Sequence, residues 1–213
     1  LRLPAVRAAR ADARPLRVGV VQPAVSIDDK HDPRRYFAQL ERLRAASLRL
    51  EARGAELVLW PETAYRYPVP RTLARDRRPP LSVRGEGARA PRLVGAITTD
   101  GPLARAVAVD AAGRRLGTFR LGRGRRFNSA VAFAADGRVL GIADKVHLLP
   151  FGEYTPFWEW IPWLQRFPRG LSAGAGPQLV RVAGARIGVS NCYEDLLADH
   201  VRDQARYGPE LWV

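Results

Sequence analysis

The chain has 213 residues, 46 % of them hydrophobic, which is length and apolar content enough for one packed domain. Its single cysteine excludes a disulfide framework and a cysteine-rich zinc site, and its three histidines (His31, His147 and His200) lack metal-ligand spacing, so neither a metal nor another cofactor is expected. The formal charge of +14 fits either arginine accumulation on a solvated surface or attraction to anionic lipid headgroups; with no zinc-finger, RNP-type or helix-turn-helix pattern, nucleic acid is not an expected partner.

Residues 1–15 are rich in Arg, Ala and Pro and read as a linker or juxtamembrane arm ahead of a domain spanning 16–213. Leu16 to Gln22 predicts a short buried strand. Asp32-Pro33 supplies an N-cap and a first-turn proline for a helix with an apolar face of Tyr36, Phe37, Leu40, Leu43 and Leu50, stopping at Gly54. Glu56 to Trp60 predicts a second strand that ends at Pro61-Glu62, and the basic, Pro- and Gly-containing stretch 71–91 a mobile loop. Leu93 to Thr98 reads as a strand, and 103–126 as two weak strands around Ala112-Gly113. Two hairpins follow, one across 127–144 turning at Asp136-Gly137 and one across 178–190 turning at Ala183-Gly184. A helix over 196–207 and a strand beginning at Leu211 complete the order, which predicts α/β layering. The last element is cut short and methionine is absent even at position 1, so a piece of a longer protein is expected. The longest run without a charge, eleven residues from Gly170 to Val180, is short of the ~20 apolar residues of a spanning helix.

Three residues carry chemistry. Lys145 is one of only two lysines in a chain that otherwise uses arginine, and a compact ammonium fits where a planar guanidinium does not. Glu62, Lys145 and Cys192 each stand directly behind an apolar run, and in layered α/β folds sites gather outside the carboxyl ends of the strands. A free thiol and a free carboxylate differ by about four pKa units, roughly 5–6 kcal/mol against proton transfer. Burial of the carboxylate and a nearby ammonium would close that gap, giving Glu62 the part of base and Lys145 that of charge partner to a thiolate. Taken singly, each has an ordinary reading: Cys192 as an inert core thiol, Glu62 as a solvated loop carboxylate, Lys145 as a surface turn residue.

The sequence around them decides between these readings. ELVLWPET (56–63), DKVHLLPFGEY (144–154) and VSNCYED (189–195), with VVQP at 20–23, together resemble the carbon–nitrogen hydrolase (nitrilase) superfamily from about residue 16 onward. That resemblance implies an α-β-β-α sandwich of two mixed sheets with helices outside, incomplete at its C-terminus, and a Glu62-Lys145-Cys192 catalytic triad. HLLPFGEYTP, preceded by FNSAVAF at 127–133, is similar to the apolipoprotein N-acyltransferase branch and implies supporting roles for Glu153 and Glu194. By the same resemblance the acyl donor is a membrane phospholipid and the acceptor the N-terminus of an apolipoprotein, on the extracytoplasmic face of a bacterial inner membrane. The aromatic segment FWEWIPWLQRF (157–167) reads either as a core-covering loop or as a lipid-facing arm built on Trp158, Trp160 and Trp163, hinged by Gly170, Gly174 and Gly176. The resemblance also leaves departures: Asn191 stands where an apolar residue commonly precedes the cysteine, and 103–126 is longer and more basic than usual. Two other functions are expected to compete, a soluble amidase acting on a small amide and a non-catalytic lipid-surface module.

Overall fold

The computed structural model describes residues 13–213, so most of the arm expected at 1–15 lies outside the described residues. In chain order the strands are β1 (Val18–Val20), β2 (Leu57–Pro70), β3 (Arg92–Thr99), β4 (Leu103–Val109), β5 (Arg115–Gly122), β6 (Arg126–Phe133), β7 (Val139–Asp144), β8 (Leu179–Val182), β9 (Ala185–Gly188) and β10 (Leu211–Trp212). The α-helices are α1 (Ile27–His31), α2 (Tyr36–Ala52) and α3 (Ala198–Ala205). A five-stranded mixed sheet has the order β1-β2-β3-β6-β7, with β1, β2 and β3 parallel and β6 and β7 antiparallel. A three-stranded sheet, β10-β9-β8, and the separate β4–β5 hairpin complete the strands.

The two-residue period of β2 explains the layers. Leu57 joins Leu93, Ala130, Val180, Val182 and Ile187 in a core between the two larger sheets, while Val58 and Trp60 face the other way onto Leu40 and Leu43 of α2. On the far side, Gly188 of β9 turns toward Gln204 of α3, whose Nε2 donates to the Val189 carbonyl at 2.9 Å. Each of the two sheets therefore carries a helix on its outer face, the expected α-β-β-α sandwich. Among the described residues no helix is long and apolar enough to cross a membrane.

Four expectations need correction. The helix begins as a 3₁₀ turn at Pro33–Arg35, with Asp32 accepting from the Arg34 N–H, and only becomes α-helical at Tyr36; α1, which is short, was not anticipated. Strand β2 does not end at Pro61-Glu62 but runs to Pro70, because β3 pairs with both halves across a register shift between Trp60 and Tyr65. The 71–91 stretch is no free loop. The Asp76 carboxylate accepts from Ser82 Oγ and the Val83 and Arg84 N–H groups, Leu81 and Val83 are buried, and Arg44 of α2 donates to the Pro80 carbonyl. The expected glycine hinge is mostly a set of tight contacts. A Cβ at Gly170 would stand 2.3 Å from the Glu153 carbonyl oxygen, and one at Gly174 would stand 2.8 Å from the Asp144 Cβ.

Candidate active site

Glu62 lies in the irregular stretch of β2, where Thr63 takes a left-handed φ of 51°. The bulge fits because Gly95 of β3 lies beneath it. A Cβ there would meet the Pro61 carbonyl oxygen at 2.2 Å and the Glu62 Cα at 2.7 Å. Lys145 directly follows β7, its N–H donating to the Asn128 carbonyl and its carbonyl accepting from the Gly174 N–H, each at 2.8 Å. Its side chain is 2 % exposed.

The Lys145 ammonium meets Glu153 Oε2 at 2.8 Å and Glu62 Oε1 at 3.6 Å. Asn128 Nδ2 donates to both carboxylates, at 2.5 Å to Glu62 Oε1 and 3.1 Å to Glu153 Oε1. Glu153 also accepts the Leu149 N–H at 2.9 Å. Burial alone would lower the Lys145 pKa, but the Glu153 hydrogen bond and the Glu62, Glu153 and Cys192 charges outweigh it and hold the ammonium above its ordinary value. Burial pushes the Glu153 carboxyl up, yet its bonds to Lys145, Leu149 and Asn128 win and hold it below the usual carboxylate range. Glu153 is thus the tight partner of Lys145. Glu62, a third exposed, is the more distant of the two carboxylates.

Cys192 opens a 3₁₀ turn (Cys192–Leu196) behind β9 with a left-handed φ of 58°, and its thiol is exposed. For a residue with a Cβ that backbone costs about 1–2 kcal/mol. Asn191 and Glu194 hold it in a reciprocal capping box, which is what the polar residue before the cysteine contributes. Glu194, 1 % exposed, takes the Asn191 N–H on Oε2 at 2.9 Å, and on Oε1 the Val146 and His147 N–H groups at 2.7 and 2.9 Å. One buried carboxylate therefore clamps the turn bearing Cys192 to the loop directly after Lys145. Tyr193 completes the junction, its ring centroid 5.3 Å from the Lys145 ammonium. The five residues Glu62, Lys145, Glu153, Cys192 and Glu194 converge at one edge of the sandwich.

A cavity of about 700 Å³ adjoins Tyr193, walled by Val146, His147, Leu171, Trp158 and Trp160. Trp158 is fastened by its Nε1–H to the Phe167 carbonyl at 2.8 Å, whereas Trp160 is 79 % exposed. Trp163 lies off the cavity wall, packed edge-on against Phe167. The sequence marks Asn128 and Tyr193 only faintly. The signal for Asn128 was a lone amide in the apolar run FNSAVAF, and the signal for Tyr193 was adjacency to the thiol. Among the described residues no cluster of three or more His, Cys, Asp or Glu could hold a metal ion.

The apolipoprotein N-acyltransferase of Rhizobium meliloti (strain 1021) is 32 % identical over 211 residues, covering 92 % of this chain and 35 % of that protein. That of Gloeobacter violaceus (strain ATCC 29082 / PCC 7421) is 29 % identical over 207 residues, covering 93 % and 34 %. The chain thus spans about a third of the length of the curated relatives it matches. Among solved structures, an amidase from Nesterenkonia sp. shares the fold at a TM-score of 0.53 and 19 % identity, over 92 % of this chain and 63 % of that one. A Saccharomyces cerevisiae member of branch 10 of the nitrilase superfamily does so at 0.55 and 16 %, over 92 % and 62 %. The carbon-nitrogen hydrolase model matches residues 17–213, and with the sandwich and its edge cluster in place, this chain belongs to the carbon-nitrogen hydrolase family.

Proposed function

We propose that this domain, spanning 16–213 behind an arm at 1–15, carries the chemistry of an apolipoprotein N-acyltransferase, with Glu62 as base, Lys145 as oxyanion partner and Cys192 as nucleophile. The observation that carries the reading is the Lys145 ammonium held between Glu62 and Glu153 beside the turn of an exposed thiol, in a chain whose relatives bear that name. Glu62 takes the thiol proton as sulfur attacks an ester carbonyl of a membrane phospholipid. The oxyanion develops beside Lys145, which stabilises it without reorganising because its charge is already fixed. The carbon–oxygen bond breaks, the proton passes from Glu62 to the departing lysophospholipid, and a Cys192 thioester remains. The α-amine of an S-diacylglyceryl cysteine then attacks the thioester, loses its proton to Glu62 and releases the thiol. Glu153 and Glu194 are positioning residues, the first for the ammonium and the second for the sulfur-bearing turn.

Exposed apolar groups support a lipid donor: Phe157 and Trp160 line the cavity, and Phe151 and Trp163 project from the same segment that follows Lys145. The site would then face the extracytoplasmic surface of a bacterial inner membrane. The second reading, hydrolysis of a small amide in solution, is favoured only by the amidase likeness in fold. Incubating the protein with phospholipid vesicles and weighing the peptide that contains Cys192 tests the proposal. A thioester-linked acyl chain is expected on the wild type and none on Cys192→Ala. A wild-type thiol that stays free with phospholipid but acylates with small amides would establish the amidase instead.

A further inference from the structure

His200 of α3 is 3 % exposed, and neither ring nitrogen has a hydrogen-bond partner. A buried histidine left in this state costs stability, roughly the desolvation of an unmade hydrogen bond. Its Nε2 lies 4.0 Å from Glu194 Oε2. An ionised carboxylate offers about four lone-pair positions. In Glu194 three are filled by the backbone N–H groups of Val146, His147 and Asn191, two on Oε1 and one on Oε2. The vacant position is on the oxygen nearest His200.

We propose that His200 is a further positioning residue of this site, donating from Nε2–H to the open position on Glu194 when the adjoining cavity is occupied. Closing the gap takes about 1 Å of travel, to an ordinary N–H···O distance. The cavity supplies the push. His147 lines it, and its ring stands edge-on to that of His200 with centroids 5.1 Å apart. An acyl chain filling the cavity presses the His147 ring onto His200, and His200 onto Glu194. The fourth bond then stiffens the clamp between the Cys192 turn and the Lys145 loop as the sulfur reacts. Neutral imidazole with its proton on Nε2 and imidazolium both donate from that atom, so the device depends on the tautomer and not on charge. The other titratable groups of α3 are occupied at the surface, Asp199 with Arg202 and Asp203 with Arg206.

This inference rests on the proposed acylation of Cys192, and two variants test it in the protein embedded in phospholipid vesicles. His200→Leu removes the donor and the unsatisfied polar atoms together, so its thermal midpoint should equal or exceed that of the wild type. Its rate of acyl-enzyme formation at saturating phospholipid should fall roughly ten- to a hundredfold, the range of one hydrogen bond to a charged group, and half-saturation should rise as well because the bond forms on occupancy. His200→Gln, which can donate an N–H, should return to within about threefold of wild type. A Leu variant acylating at the wild-type rate overturns the proposal. So do equal rate losses in both variants accompanied by a lowered midpoint, since that pattern marks a packing role. Absence of any thioester in the wild type would strike the reading of the site itself, and this inference with it.

Discussion

Lys145 shows how one side chain settles the character of its surroundings. Its ammonium is buried, so two carboxylates must stand close to it, and of the two Glu153 is nearer and better bonded than Glu62. The residue expected only to support the site is the stronger ion-pair partner, and Glu62 is held more loosely. Titration follows from the same contacts. The Glu153 pKa is depressed below its unfolded value of 4.5, so its contribution to stability is complete above that value and is lost as acid passes through the folded pKa. The Lys145 pKa is raised above 10.5, so its contribution is complete below that value and is lost as base passes above it. Urea midpoints should therefore fall more steeply below about pH 4.5 in the wild type than in Glu153→Gln, while the two curves run parallel from about pH 6 to 9. An acid limb that is no shallower in the variant would remove Glu153 from the account. Legibility at this scale was uneven. Glu62, Lys145 and Cys192 could be picked out because each ends an apolar run, whereas Asn128 lies inside one and gave no terminus to notice.

At the scale of elements, the position of Glu62 depends on how two strands fit. Pro61 and Glu62 looked like the end of β2, because proline gives up a ladder donor. The strand instead continues, since β3 offers partners on both sides of the bulge and Gly95 leaves room for it. Gly95→Ala should therefore act at a distance from the thiol. Forcing a methyl toward the Pro61 carbonyl displaces Glu62, with an expected loss of about 1–3 kcal/mol of stability and roughly a hundredfold in acylation rate. Urea unfolding and the acyl-enzyme rate measured on the same preparation would check this. A folded variant with unimpaired acylation would show that the bulge does not position the carboxylate. Both hairpins, at Asp136-Gly137 and Ala183-Gly184, were legible because a positive-φ glycine at a tight turn is a local requirement. The 71–91 segment departs from its composition for the converse reason. Its proline, glycine and arginine content looks mobile, but Asp76 and Arg44 fix it through bonds that composition does not display.

Over the whole molecule, the proposed phospholipid donor predicts that the formal charge of +14 and the exposed aromatics act together at a lipid surface. Phe151 and Trp160, each 79 % exposed, stand in the segment flanking the cavity, where an interface of headgroups and acyl chains would cover them. Binding to phosphatidylglycerol vesicles should exceed binding to phosphatidylcholine vesicles and weaken with salt. The double change Trp160→Ser, Trp163→Ser should cut partitioning by roughly tenfold or more to either lipid, from the apolar area left unburied. Sedimentation with vesicles would measure both, and partitioning unchanged by the double substitution would separate this surface from lipid. The sequence by itself determined most of the succession of strands and helices and the tight turns, and it singled out three candidate residues, because side-chain period and turn geometry act over a few neighbours. Only the tertiary structure decided which carboxylate Lys145 holds most closely, that Asn128 spans both, and that Glu194 ties the thiol's turn to the lysine's loop. Asn128 stands 66 positions from Glu62 and 25 from Glu153, and Glu194 stands 48 from Val146, and contacts at that range exist only once the strands have paired and the two sheets have closed on each other.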